Sequence, residues 1–239
     1  MRLDQRVAET LGTSRNRAQF FIEHGLVNVA GKVSQKCAME VAPDTELQID
    51  RDHPQIRYVS RSAEKLASFL DATGISVEGF QCLDVGASTG GFTQVLLERS
   101  AAQVVAVDVG TAQLHERLRG DSRIVSLENT DIRNWKSEEK FARITVDVSF
   151  VSLREVLPSI LGFLEPEGIC VALFKPQFEV GPENLKKTGI PKSEEIRLRA
   201  VRDFETWLEA SGIPVFHQHE SGLIGEAGNR EVLFAVGKR

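Results

Sequence analysis

The stretch Leu83-Asp84-Val85-Gly86-Ala87-Ser88-Thr89-Gly90-Gly91-Phe92-Thr93 has the pattern of a strand that runs into a glycine-rich turn and then into a helix. Such a turn lets a ligand approach the backbone closely. It is not a P-loop, because no Gly-Lys-Ser/Thr follows it, and Ala87 and Ser88 interrupt the Gly-x-Gly-x-x-Gly spacing of dinucleotide-binding loops. The stretch therefore predicts a ligand site at the end of a strand that differs from both of these phosphate-binding loops.

Two acidic residues near this turn favour a nucleoside cofactor that carries a positive charge. Asp84, directly before the turn, disfavours a pyrophosphate and suits a cation with an amino group, as in S-adenosylmethionine. Asp108 ends the next strand, about 20 residues after the loop, where it would meet ribose hydroxyls. The alternative is an acid that only caps a Rossmann-like turn, because short glycine motifs often match by chance. The sequence predicts S-adenosylmethionine as cofactor and leaves this alternative open.

Strands and helices alternate along the chain from Arg61 onward, which is typical of a doubly wound parallel sheet. The predicted strands are residues 80–85, 104–109, 124–127, 144–150 and 168–174. The predicted helices are residues 92–99, 153–164 and 194–211. The last two apolar runs, 213–217 and 231–236, have no helix between them, so we expect the sheet to finish in an antiparallel strand.

The first 50 residues have a different pattern and predict a small α+β domain. Ser14 is a candidate cap for a helix that ends near His24-Gly25, and a strand, a turn at Ala30-Gly31 and further strand pattern follow it. Residues 51–58 are predicted to be a linker, because residues 51–55 are polar and include a proline. Residues 59–239 are the predicted larger domain.

Charged residues close two of the later predicted strands. Asp147 and Lys175 lie at these carboxyl ends, where open α/β sheets bind their ligands. Lys65 and Glu231 are two further candidates that would complete a set of two lysines and two carboxylates. The alternative for Asp147 or Lys175 taken alone is a solvated strand end, and the spacing does not show that the four residues meet.

The composition excludes several classes of protein. Among 239 residues, 29 are Lys or Arg and 34 are Asp or Glu, and the net charge of −5 argues against a basic coat for nucleic acid or membrane. The charged start and the lack of a long uncharged apolar window predict a soluble cytoplasmic protein without a membrane partner. Three scattered cysteines and the pair His217 and His219 predict neither a disulfide framework nor a metal site.

Ordered matches over nearly the whole chain resemble the TlyA family, which is also called hemolysin A. The N-terminal part is similar to the ribosomal S-four-type (alpha-L) RNA-binding domain, with matches at Arg2-Leu3-Asp4, Ser14-Arg15, Ala18, Gly25-Leu26-Val27 and Gly31-Lys32-Val33. The C-terminal part is similar to the FtsJ-type ribose 2′-O-methyltransferase. Its matches are Tyr58-Val59-Ser60-Arg61, residues 84–93, Val107-Asp108-Val109-Gly110, residues 147–153, Lys175-Pro176-Gln177-Phe178-Glu179 and Gly228-Asn229-Arg230-Glu231.

The resemblance implies S-adenosylmethionine-dependent 2′-O-methylation of cytidine in 16S or 23S ribosomal RNA, or both. Ribosomal RNA or ribosomal subunits are then the partners, and no metal is involved. The implied fold is a seven-stranded, Rossmann-like α/β sheet with an antiparallel last strand, preceded by the small α+β RNA-binding domain. The implied catalytic tetrad is Lys65, Asp147, Lys175 and Glu231. The predicted cofactor-binding residues are Asp84, Gly86, Ala87, Ser88, Thr89, Gly90, Gly91, Phe92, Asp108, Val109 and Asp131, and the predicted RNA-binding residues are Arg15, Arg17, Lys32 and Lys36.

Two other functions compete with this interpretation. The hemolysin name suggests a membrane-active cytolysin, but the sequence has neither a signal peptide nor a strongly basic amphipathic helix. An RNA-binding module with an inactive enzyme domain is the second alternative. The presence of all four tetrad residue types argues against it.

Overall fold

Residues 1–225 and 228–238 are described by a computed structural model, and the chain divides into two units, the first being Met1–Tyr58 and the second starting at Val59. In the first unit, the turn at Ala30-Gly31 has positive φ angles of 47° and 83° and joins the first two strands of a three-stranded antiparallel sheet, in which the first strand lies in the middle. Its elements are α1 (Leu3–Leu11), α2 (Arg15–Glu23), β1 (Val27–Val29), β2 (Lys32–Val33), β3 (Leu47–Ile49) and α3 (Pro54–Arg57). The apolar sides of the helices and of β1 form one core, which includes Leu3, Val7, Phe21, Ile22 and Val27.

The segment 51–58, which the sequence suggested as a linker, folds with the first unit. Ile56 is buried in the core of that unit, and the Arg51 guanidinium donates a hydrogen bond to the Thr10 carbonyl oxygen. Pro54 begins the short helix α3, and the imidazole of His53 accepts a hydrogen bond from the Gln55 N–H at its start. This polar segment is ordered because proline is tolerated at the first position of a helix and because one isoleucine is buried in the core.

The second unit contains a seven-stranded sheet, counted over the described residues. Its elements are α4 (Ser62–Thr73), β4 (Gln81–Val85), α5 (Gly91–Glu98), β5 (Gln103–Val107), β6 (Ile124–Leu127), β7 (Phe141–Val146), α6 (Leu153–Leu161), β8 (Leu164–Phe174), α7 (Glu194–Ala210), β9 (Val215–Glu220) and β10 (Val232–Val236). The strand order is β6-β5-β4-β7-β8-β10-β9. The five neighbouring strands from β6 to β8 are parallel, and β10 pairs antiparallel with both β8 and β9. The predicted parallel sheet with an antiparallel last strand is confirmed.

One predicted helix ends earlier than expected. The sequence predicted a helix over 153–164, whereas α6 ends at Leu161 and β8 already begins at Leu164. The Phe163 carbonyl oxygen accepts a hydrogen bond from the Phe141 N–H, so the chain is drawn into the sheet directly after Gly162. Residues 162–164 follow the helical spacing of apolar residues in the sequence, but pairing with the neighbouring strand draws them into the sheet.

This topology brings the carboxyl ends of β5, β4, β7 and β8 together at one edge of the sheet, because these four strands are parallel neighbours. Asp108, Asp147 and Lys175 directly follow three of these strands. Along the described residues, no helix is both long enough and apolar enough to cross a membrane.

Candidate active site

A cavity of about 350 Å³ lies at this carboxyl edge of the sheet. It is lined by the glycine-rich loop, by the ends of β7 and β8, by the start of α4 and by the segment before β10. The lining residues are Ser60, Arg61, Ser62, Lys65, Gly86, Ala87, Ser88, Thr89, Phe92, Asp147, Ser149, Lys175, Leu223, Ile224 and Gly225. The glycine-rich loop and three of the four predicted catalytic residues therefore face one space.

The glycine-rich loop needs glycine where it passes closest to β7. Gly86 has a φ of +80°, and a Cβ atom there would lie 2.7 Å from the Asp147 carbonyl oxygen. Gly90 has a φ of +93° and directly precedes α5. Both positions are unfavourable for other residues, so the loop can place its backbone against Asp147 and begin α5 at the cavity.

Asp84, which the sequence predicted as a cofactor-binding residue, lies in the interior beneath the glycine-rich loop. Its side chain is fully buried, and its two carboxylate oxygens accept hydrogen bonds from Thr93 Oγ1 at 2.6 Å and from Thr145 Oγ1 at 2.9 Å. It is absent from the residues that line the cavity. Burial raises the pKa of Asp84 to about 6, an effect that the nearby Asp147 increases and the two hydroxyls oppose. Asp84 joins β4, α5 and β7 beneath the loop and so supports the loop from below.

Replacing Asp84 with asparagine tests this structural role. The folded protein holds the Asp84 proton more tightly than the unfolded chain, because the pKa of about 6 exceeds the ordinary 3.8. Ionisation therefore destabilises the fold as the pH rises through this window. Relative to wild type, Asp84→Asn should gain up to about 3 kcal/mol of unfolding free energy at pH 7.5 and little at pH 4. Urea denaturation at both pH values measures the difference, and an equal effect at both would contradict the assignment.

Asp108 lies where the sequence placed a ribose-binding acid. Its Oδ2 accepts a hydrogen bond from the Ser88 N–H at 2.8 Å, and its Oδ1 accepts one from the Gly110 N–H at 2.7 Å. Each carboxylate oxygen keeps a further lone pair for a hydroxyl donor. The neighbouring Val109 side chain is 70% exposed and offers an apolar surface beside the carboxylate. An acceptor for ribose hydroxyls next to an apolar surface for a base fits the adenosine part of S-adenosylmethionine.

Asp108→Ala is expected to weaken S-adenosylmethionine binding about ten- to a hundred-fold without unfolding the protein. The expected size is that of lost hydrogen bonds to a charged acceptor, about 1.5–3 kcal/mol. Calorimetric titration with the cofactor measures the affinity, and the thermal midpoint reports the fold. An unchanged affinity would remove Asp108 from the cofactor site.

Asp131, the other acid predicted to bind the cofactor, is engaged by a neighbour on its own loop. The Arg133 guanidinium forms two parallel hydrogen bonds with its carboxylate, at 3.0 and 2.6 Å, and the Arg133 N–H donates a third at 3.0 Å. This guanidinium lowers the pKa of Asp131. Like Asp108 and Val109, Asp131 does not line the cavity, but the Thr130 N–H directly before it donates a hydrogen bond to the Asp108 carbonyl oxygen at 2.9 Å, so Asp131 lies close to Asp108.

The four predicted catalytic residues form two ion pairs. Lys65 Nζ lies 2.5 Å from Glu231 Oε2, and Lys175 Nζ lies 2.7 Å from Asp147 Oδ1. The four side chains are between 5% and 15% exposed. Lys65, Asp147 and Lys175 line the cavity, and Glu231 joins them through Lys65. The two lysine–carboxylate pairs are set beside the glycine-rich loop in a largely desolvated site.

Side chains around Lys175 fix the end of β8. The Lys175 ammonium also donates a hydrogen bond to Ser149 Oγ at 2.8 Å. Glu179, four residues further on, accepts hydrogen bonds from Ser152 Oγ at 2.6 Å and from the Leu153 N–H at 2.8 Å, at the start of α6. Burial raises the pKa of Glu179. The segment after β8 is thereby anchored to the segment after β7, so the Lys175–Asp147 pair has a fixed geometry.

Several residues of this site were not among those predicted from the sequence. Ser60 and Ser62 line the cavity with their hydroxyl oxygens 2.8 Å apart, and Ser149 and residues 223–225 line it as well. The position of the two serines, a few residues before Lys65 at the start of α4, is the signal that could have found them. In the described parts of the chain, no group of three or more His, Cys, Asp or Glu side chains could hold a metal ion.

In the first unit, the fully buried Asp4 gathers basic side chains. Its carboxylate accepts hydrogen bonds from Arg2 at 2.9 Å and from Arg15 at 3.0 Å, and these hold its pKa well below the usual range. The Asp4 N–H donates to the Cys37 carbonyl oxygen, which places the exposed Lys36 next to this network. Arg2 was not predicted as an RNA-binding residue, and only its position in the Arg2-Leu3-Asp4 match pointed to it.

The other two predicted RNA-binding residues differ from each other. Lys32 lies exposed on β2. Arg17 instead donates hydrogen bonds to the carbonyl oxygens of Gln55 and Tyr58, and its guanidinium lies over the Phe21 ring, 5.6 Å from the centroid. Arg17 therefore fastens α2 to the last segment of the first unit, a structural role that the sequence did not predict.

Comparison with known proteins places these features in a family. Residues 58–238 match the model of the FtsJ-like methyltransferases. The 23S rRNA (cytidine-2′-O)-methyltransferase TlyA of Campylobacter jejuni subsp. jejuni is 40% identical, with 98% of each chain covered. The 16S/23S rRNA (cytidine-2′-O)-methyltransferase TlyA of Mycobacterium tuberculosis is also 40% identical, over 94% of this chain and 85% of the relative.

A solved structure that carries the hemolysin name is also similar. This protein from Streptococcus thermophilus is 35% identical and superposes with a TM-score of 0.75, covering all of this chain and 88% of its own. The family model spans well over half of the chain, and the curated relatives match it nearly from end to end. The chain therefore belongs to the TlyA family of FtsJ-like methyltransferases.

Proposed function

We propose that this enzyme transfers a methyl group from S-adenosylmethionine to the ribose 2′-hydroxyl of cytidine in ribosomal RNA. The observation that carries the proposal is the Lys175–Asp147 pair at 2.7 Å, which lines one cavity together with Lys65 and the glycine-rich loop. The names of the two TlyA relatives support cytidine as the target and ribosomal RNA as the substrate. Modification of 16S RNA, 23S RNA or both is compatible with these names.

The proposed cofactor site extends from Asp108 to the cavity. Asp108 and Val109 would hold the adenosine part, and residues 86–92 of the loop would pass beneath the methionine part. The hydroxyls of Ser60 and Ser62 supply hydrogen-bonding groups at the same cavity. When bound there, the sulfonium supplies an activated methyl group that needs no metal ion for its transfer.

The residues of the two ion pairs have distinct tasks in this proposal. A ribose hydroxyl is a poor nucleophile, so the site must position it and accept its proton as the new carbon–oxygen bond forms. The bond that breaks is the methyl carbon–sulfur bond, whose electron pair would leave with the sulfur as a neutral thioether. Lys175, in its neutral form, accepts this proton at Nζ, and Asp147 and Ser149 hold that nitrogen in place. Lys65, held by Glu231, contacts the hydroxyl or the adjacent phosphate as a fixed cation.

An exposed aromatic ring beside the ion pairs suits a nucleic-acid substrate. Phe150 is 90% exposed and has a φ of +63°, which is strained for a bulky side chain. Its ring centroid lies 5.1 Å from that of Phe178. Bases of single-stranded nucleic acid stack on such rings, so we assign Phe150 as a stacking surface for a base next to the methylated ribose.

The first unit is proposed to be an S-four-type RNA-docking domain. Arg2 and Arg15 pair with Asp4, Lys36 is exposed next to Cys37, whose carbonyl oxygen accepts from the Asp4 N–H, and Lys32 is exposed on β2. Guanidinium groups held by a buried carboxylate are ordered in advance for phosphate oxygens. This unit supplies affinity for RNA, and the second unit supplies the chemistry.

Incubation with labelled S-adenosylmethionine and purified ribosomal subunits tests the function. Label incorporated into RNA, mapped to the 2′-oxygen of a cytidine, is the expected result, and the enzyme is then expected to work in the cytoplasm where ribosomes are made. Absence of label from both subunits and from naked ribosomal RNA would overturn the proposal. Lysis of erythrocytes by the purified protein without cofactor would favour the cytolysin instead.

A further inference from the structure

Both carboxylate oxygens of Glu231 accept hydrogen bonds from other elements. Lys65 Nζ lies 2.5 Å from Oε2, and Gln177 Nε2 lies 3.1 Å from Oε1. Gln177 belongs to a short 3-10 helix, Pro176–Phe178, that directly follows Lys175. One short segment after β8 therefore carries a lysine of one ion pair and a hydrogen-bond donor to the other pair.

The chemistry of the two groups fixes the orientation of the Gln177 amide. An ionised carboxylate only accepts hydrogen bonds, so the amide nitrogen must face Glu231. The amide oxygen is buried and has no hydrogen-bond partner among residues 1–225 and 228–238. An unpaired buried acceptor destabilises a fold, so the bond to Glu231, and not the carbonyl side, determines where this side chain points.

Each ion pair has one further hydrogen-bonding partner, Ser149 at Lys175 and Gln177 at Glu231. These two partners suit different protonation states of the residues that they contact. The Ser149 hydroxyl beside Lys175 accepts a hydrogen bond from an ammonium group and can donate one to a neutral amine. The Gln177 amide N–H donates to Glu231 Oε1, and such a bond is stronger to an ionised carboxylate than to a protonated carboxyl group, so it favours the ionised form. An ionised Glu231 in turn stabilises Lys65 as a cation.

We propose that Gln177 is a positioning residue that keeps Glu231 ionised, so that Lys65 remains the fixed cation and Lys175 is the lysine that exchanges the proton. This inference rests on the proposed methyl transfer to RNA. Among the described residues, three other charged side chains line the cavity with Lys65, namely Arg61, Asp147 and Lys175, and Arg230 directly precedes Glu231. Arg230 pairs with Glu194 and Glu220 and does not replace the amide.

The test is the pH dependence of single-turnover methyl transfer at saturating cofactor for three substitutions of Gln177. The need for neutral Lys175 gives the profile a first acidic limb of slope one, and protonation of Glu231 adds a second acidic limb of slope two at lower pH. Gln177→Met keeps the volume and removes the donor, so this second limb should begin about one to two pH units higher. Gln177→Glu should move it further, because two adjacent carboxyl groups retain a proton between them. Gln177→Lys restores a donor, and its second limb should return to the wild-type position or below it.

The direction of these shifts separates positioning from a general loss of structure. A structural defect would lower the rate by the same factor at every pH for all three variants, and that result would overturn the inference, as would an unchanged profile for Gln177→Met. Gln81→Met is the matched control, because the Gln81 amide donates a hydrogen bond to the Gln103 side chain at the opposite end of β4. Absence of methyl transfer by the unchanged enzyme would count against the proposed function and not against the role of Gln177.

Discussion

Lys175→Ala is expected to lower methyl transfer by about 10²–10⁴-fold, the range for a positioned proton acceptor, while the affinity for S-adenosylmethionine stays nearly unchanged. The reason is the position of Nζ, 2.7 Å from Asp147 Oδ1 and 2.8 Å from Ser149 Oγ at the end of β8. The proposed adenosine contacts at Asp108 lie at the end of a different strand. Single-turnover rates measure the chemistry, and calorimetry measures cofactor binding separately.

A lysine elsewhere on the sheet provides the control. Lys140 precedes β7 at the amino-terminal edge and donates to the Gly162 carbonyl oxygen. Lys140→Ala should leave the single-turnover rate within about two-fold, because exposed substitutions away from such a site have small effects. If Lys175→Ala transferred the methyl group as fast as Lys140→Ala, Lys175 would be only a solvated strand end.

The sequence predicted the parts of the site that follow from strand order. Asp147 and Lys175 each end an apolar run, and parallel neighbours bring their carboxyl ends to one edge of the sheet. The Gly86 position was predictable for a similar reason, since a strand that turns sharply into a helix needs a residue that tolerates positive φ. These predictions need only the chain direction and the periodicity of apolar residues.

Contacts between distant segments could not be predicted in the same way. Lys65 and Glu231 are separated by 166 positions, and only the antiparallel pairing of β10 beside β8 brings them together. The family resemblance implied this pair, but residue spacing alone did not. The bond from Gln177 to Glu231 was missed for the same reason, because it depends on how the segment after β8 lies against the start of β10.

The partners of single charged residues were also beyond what the sequence could show. Asp84 looks like a ligand-binding acid in the sequence, yet two threonine hydroxyls from α5 and β7 satisfy it in the interior. Arg17 looks like a free basic residue, yet two backbone carbonyl oxygens occupy its guanidinium. The sequence does not show which group a charged side chain contacts. A charged side chain that is buried and hydrogen-bonded within the protein has a structural role, whereas one that binds a ligand must keep its polar atoms accessible.

A shortened chain that starts at Val59 is expected to bind S-adenosylmethionine like the full chain and to methylate ribosomal RNA about 10²-fold less well or worse. The proposed cofactor and catalytic residues all lie after this boundary between the two units. The basic side chains around Asp4 and Lys32 on β2 are lost with the first unit. Phosphate contacts supply much of the affinity for RNA and make it depend on salt, so their removal should weaken substrate binding and leave the chemistry intact.

Charge substitutions in the full chain test the same division of labour without removing a folded unit. Replacing Arg15, Lys32 and Lys36 together by alanine should reduce the salt dependence of RNA binding, with the logarithmic slope smaller by about two to three. Arg17 is left unchanged, because it holds α2 against the Gln55 and Tyr58 carbonyl oxygens. Arg99→Ala, which removes a basic side chain of the second unit that pairs with Asp71, is the control and should leave the slope unchanged.

Equal methylation by the shortened chain, or an unchanged slope for the triple variant, would show that the first unit does not dock RNA. A shortened chain that fails to fold would show that this unit supports the enzyme domain, and the slope of the triple variant then decides whether it also binds RNA.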